Sequence, residues 1–99
     1  MKLENTGLEF NWYDAIDFVR SRNLWLPSLK QLVWELNKRD IDFFINNAWT
    51  CETYEMNINA AWTLKEPVLK KQKRLVMSVN EQLFINNQIE YYNGDIQFK

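Results

Sequence analysis

The segment Leu24-Trp25-Leu26-Pro27-Ser28-Leu29-Lys30-Gln31-Leu32 restricts what this chain can fold into more than any other part of it. Pro27 holds the residue before it extended, so Leu24, Trp25 and Leu26 approach as a strand-like piece. Ser28 and Gln31 have the S-x-x-Q spacing of a capping box, in which each side chain takes a free backbone N–H of the first helical turn. Leu29, Leu32, Val33 and Leu36 then repeat at helical spacing and commit one face to a core. A helix over roughly 29–38 is therefore predicted, closing near Lys38-Arg39, with Trp34 opposite the apolar seam.

A first helix is predicted from Trp12 to Arg22. Asn11 lies three residues before Asp14, as an N-cap does. Trp12, Ala15, Ile16 and Val19 share one face, widened by Phe18. Asp14 and Asp17 near the start and Arg20 and Arg22 near the end suit the helix dipole. Before it, Leu8, Phe10 and Trp12 alternate with polar residues, the period of a half-buried strand. Residues 40–47 are ambiguous: Ile41, Phe43, Phe44 and Ile45 suit a short helical turn or an irregular plug. Beyond them the period becomes two, at Trp49/Cys51, Ala60/Trp62/Leu64 and Leu75/Met77/Val79. The tail offers strands at 82–85, 88–92 and 95–98. Asn46-Asn47, Asn86-Asn87 and Asn93-Gly94 are turn candidates, and Asn-Gly is a strong hairpin signal. Two helices followed by a strand meander predict an α+β domain with the helices packed on a twisted antiparallel sheet. Trp25, Leu29, Leu32, Leu36 and Trp62 are its expected core, with Trp12.

Composition narrows the chemistry. The 99 residues contain no histidine, which excludes imidazole bases, Ser-His-Asp triads and histidine metal ligands. Cys51 is the single cysteine, so neither an intrachain disulfide nor a multi-cysteine zinc site can form. No phosphate loop or nucleophile motif occurs, and Glu52 and Glu55 do not fix the separation a glycosidase pair needs. The expectation is a non-enzymatic protein without cofactor or metal. Lys65, Lys70, Lys71, Lys73 and Arg74 form a basic cluster, yet the net charge of −1 argues against nucleic acid. The first residues, Met1 to Asn5, are polar and unlike a signal peptide, and no run nears the roughly 20 apolar residues of a membrane span. A cytoplasmic setting is expected, or a virion- or surface-associated one reached without a signal peptide.

Trp25-Leu26-Pro27-Ser28-Leu29-Lys30-Gln31-Leu32 resembles the W-R-L-P-T-x-x-E-L signature of the Lcl C-terminal domain family, with Leu26 in the basic position and Gln31 in the acidic one. Asn11 to Ala15 is similar to that family's helix opening. Trp49-Thr50-Cys51-Glu52 is similar to its W-S-S-T-E element, Ala61-Trp62 to its A-W strand, and Lys73 to Val79 to its closing strand. The resemblance spans about Leu8 to Val79. A glycine usually precedes the signature, where this chain has Asn23-Leu24, and the tail after Val79 has no counterpart. The resemblance implies one C-type-lectin-like domain over residues 1–99, used for binding. Lectin calcium motifs are absent, since Val68 follows Glu66-Pro67, and the paired cysteines of the related formylglycine-generating enzymes are absent too.

The expected recognition segment runs from Trp49 to Asn59 and joins an aromatic, acids and amides beside a strand. Its candidate binding residues are Trp49, Glu52, Tyr54, Asn57 and Asn59, the mixture used on recognition surfaces. Two readings follow. One is a recognition module for a protein or glycan. The other is a small intracellular protein, of a kind phages encode, that binds and inhibits a host protein. A homo-oligomer stays open, and a membrane partner is not expected.

Overall fold

The computed structural model describes residues 3–36, 47–81, 89–92 and 95–98. Strand β1 (Leu3–Phe10) leads into α1 (Trp12–Arg20) and α2 (Leu29–Leu36). Then follow β2 (Trp49–Thr53), β3 (Ala60–Thr63), β4 (Pro67–Leu69), β5 (Arg74–Val79), β6 (Ile89–Tyr92) and β7 (Asp95–Phe98). All strand pairs are antiparallel: β1 with β5, β2 with β3 with β4, and β6 with β7. The α+β class is as expected. The expected features at 37–46 and 82–88, the Asn93-Gly94 turn and the side chain of Leu36 lie outside the described residues.

Both helices begin where their caps place them. Asn11 Oδ1 accepts from Asp14 N–H at 2.8 Å and opens α1. The helix stops two residues earlier than expected, with Ser21 as C-cap, because the chain reverses at Asn23 with φ 58°. That is left-handed backbone, which asparagine tolerates and glycine most often supplies. At α2 the box is complete in both directions. Gln31 N–H donates to Ser28 Oγ at 2.9 Å, and Ser28 N–H donates to Gln31 Oε1 at 2.8 Å. Ser28→Ala is predicted to cost about 1 kcal/mol by denaturant unfolding. An unchanged midpoint would show that the box does not hold the helix.

The approach to α2 joins the two larger sheets. Trp25 exchanges both backbone hydrogen bonds with Val79 of β5, at 3.0 and 2.9 Å. Two residues on, Pro27 C=O accepts from Cys51 N–H of β2 at 3.0 Å. Proline has no N–H to return, so the segment bridges β5 and β2 without becoming a full strand between them. The single sheet expected from the sequence is thus separate ladders with this seam between two of them.

One core cluster gathers Trp12, Ala15, Val19, Leu26, Trp49, Ala61, Val68 and Val76, and a second Leu3, Leu32, Ala48, Met77 and Val79. The expected core needs correction here. Trp25 is 50 % exposed, because its backbone pairing with β5 turns Leu26 inward instead. Trp62 is half-buried, whereas Trp12 and Leu32 are interior. Trp34 lies on the exposed side of α2, as its spacing predicts. Strand β1 starts at Leu3, earlier than expected, and its Leu8 is exposed, because a register shift between Asn5 and Glu9 breaks the alternation.

Candidate functional site

Strands β2 and β3 are joined by a loop that its own backbone holds in shape. Tyr54 N–H donates to Ala60 O at 2.8 Å, Asn57 N–H to Tyr54 O at 3.2 Å, and Ala60 N–H to Asn57 O at 3.0 Å. The Asn57 side chain closes an inner turn by accepting from Asn59 N–H at 2.9 Å. From β4's end, Lys70 N–H donates to Asn59 O at 2.7 Å and ties the loop to the neighbouring strand. Tyr54 packs edge-on against Trp62, ring centroids 5.5 Å apart. With these groups satisfied internally, the loop's outward chemistry belongs to Met56 and Ile58, which are 78 % and 74 % exposed.

The five residues singled out from the sequence divide between interior and surface. Trp49 is 0 % exposed, and its Nε1–H donates to Phe10 O at 2.7 Å. Glu52 is also buried, and its Oε1 accepts from Leu29 N–H at 2.7 Å, placing a carboxylate on the N-terminus of α2. Neither can meet a partner on this surface. Tyr54 is half-buried, and Asn57 and Asn59 are exposed. Glu52 and Glu55 do not make a matched pair, since Glu52 serves the helix start and Glu55 stands at the surface. Met56 and Ile58 were missed by sequence reasoning. Their signal was the alternation of Tyr54, Met56 and Ile58 continuing past the end of β2 with no facing apolar strand.

The basic cluster is likewise smaller at the surface than its composition suggests. Lys70 is buried: its Nζ donates to Thr53 Oγ1 at 2.8 Å and lies 4.1 Å from the Trp12 ring centroid. The long stem packs while the cation meets a π face and a hydroxyl. Lys65, Lys71 and Lys73 are exposed and Arg74 is half-buried. Among the described residues no group of three or more His, Cys, Asp or Glu side chains is placed to hold a metal ion. No described helix is long and apolar enough to cross a membrane.

No family model, curated protein or solved structure matches the chain.

Proposed function

We propose that this chain is a non-enzymatic recognition module, of C-type-lectin-like fold, that engages a protein through the β2–β3 loop. The observation that carries the reading is the exposure of Met56 and Ile58 on a loop fixed by its own hydrogen bonds. Leaving two aliphatic side chains in water is unfavourable, and burying them in a partner's apolar pocket recovers that free energy. A preorganised loop loses little entropy on docking. A protein suits these groups better than a glycan does. The loop's one aromatic ring is packed against Trp62, while its projecting groups are aliphatic and offer no flat face for a sugar ring.

Met56→Asp and Ile58→Asp are predicted to leave the unfolding midpoint nearly unchanged, since both sites are solvated. Each should weaken partner binding by at least about 2 kcal/mol, roughly 30-fold in Kd. The check is a pull-down followed by titration of the purified partner against both variants. Undiminished affinity in both would remove the loop from the interface. Binding on a glycan array that both variants retain would replace the protein partner with a sugar.

A further inference from the structure

A second site lies away from that loop, where β1 leaves its ladder with β5. Asn5 pairs with Met77 and Glu9 with Leu75, so Thr6, Gly7 and Leu8 face Val76 alone. The bulge is closed on itself. Thr6 Oγ1 donates to Val76 O at 2.7 Å and accepts from Leu8 N–H at 3.1 Å, and Asn5 Oδ1 accepts from Gly7 N–H at 2.8 Å. Gly7 sits at φ 72°, where a side chain would be strained, and a Cβ there would meet nothing within 4 Å. Glycine therefore serves the backbone turn rather than packing, and the bulge faces open space. Bulges of this kind re-aim side chains and recur beside functional sites.

Beside it is a groove of about 430 Å³ between Asn5, Gly7 and Glu9 of β1 and Lys73 and Arg74 at the entry to β5, with Asn47 on its wall. That volume is in the range of small-molecule sites and too small for a macromolecule. Its polar groups are mostly donors. Asn5 Oδ1 already accepts from Gly7 N–H, so what the side chain offers a ligand is chiefly its amide N–H donors. Arg74 Nη1 donates to Lys73 O at 2.7 Å, which steadies the guanidinium and leaves its other N–H groups available. Glu9 and Lys73 are exposed at the groove and Arg74 is half-buried beside them. Two cations and two amides call for an acidic acceptor, while the Glu9 carboxylate repels one that carries negative charge alone.

We propose that this groove binds a small organic acid that also carries an ammonium or hydroxyl donor, its carboxylate on Lys73 and Arg74 and its donor on Glu9. The test is titration of the ¹⁵N-labelled chain with aspartate, malate, succinate and inorganic phosphate, following amide shifts. Saturable shifts at Asn5, Gly7, Arg74 and Leu75 are expected with aspartate and malate, and weaker ones with succinate, which lacks the donor. Lys73→Gln with Arg74→Gln should weaken binding at least about tenfold, since both charge-assisted contacts to the carboxylate are lost. Glu9→Gln should bring aspartate and malate down toward succinate. Glu9 and Lys73 are exposed and Arg74 is half-buried, and an unchanged spectrum of each unliganded variant confirms that the fold survives. Absence of saturable shifts with all four probes, or affinity unmoved by the Lys73/Arg74 change, overturns the site. Phosphate binding as tightly as malate and indifferent to Glu9→Gln overturns the assigned ligand class.

Discussion

Trp49→Ala is expected to destabilise this domain by about 3–5 kcal/mol, the range for removing a large buried aromatic. Trp49 is fully enclosed among Trp12, Leu26, Ala61, Val68 and Val76, where α1 meets the β2–β3–β4 sheet. Losing the indole leaves a cavity that neighbours anchored in two sheets and a helix cannot all fill. It also strands the Phe10 carbonyl, which accepts the Nε1–H at 2.7 Å. For a domain of this size each kcal/mol moves Tm by roughly 4–8 °C, so the variant should melt far below the parent. Trp49→Phe keeps most of the volume and loses the donor, and should cost less than half as much. Urea unfolding of both variants checks this. A loss under about 1 kcal/mol for the alanine variant would return Trp49 to the surface role its sequence context suggested.

The parts of the fold readable from sequence are those whose cause is local. Asn11 and Ser28-x-x-Gln31 mark helix starts because a cap and its target lie three residues apart in any context. The strands expected at 88–92 and 95–98 are present as β6 and β7, paired antiparallel. What escaped depends on partners distant in the chain. Leu24, Trp25 and Leu26 are all apolar, so an extended chain through them has two indistinguishable faces, and only the Val79 pairing decides which points inward. Lys70 reads as surface until Trp12 and Thr53 are brought to it. The polar start of β1 lacks any alternation, because the bulge at Gly7 interrupts it. On the candidate loop the outward side chains include Asn57 and Asn59, which the sequence singled out, together with Met56 and Ile58, which it did not. Amides and acids in Trp49–Asn59 looked like binding groups, yet Asn57 and Glu52 are taken up by backbone N–H groups.

Leu32→Ala should cost about 2–5 kcal/mol, while Val33→Ala, one position along, should stay within about 0.5 kcal/mol. Leu32 is wholly buried with Leu3, Ala48, Met77 and Val79, so its side chain joins α2 to β1, to β5 and to the residue preceding β2. Those four neighbours come from three separate parts of the chain and cannot close around the vacancy together. Val33 points to the exposed side of the same helix, where alanine's better helix propensity offsets the little packing lost. The pair separates burial from helix propensity, since both changes introduce the same residue into the same short helix. Comparable losses at both positions would mean that α2 is held by its intrinsic stability and its caps rather than by this contact. The expected contrast would instead show that the capping box fixes where the helix begins and Leu32 fixes which face it buries.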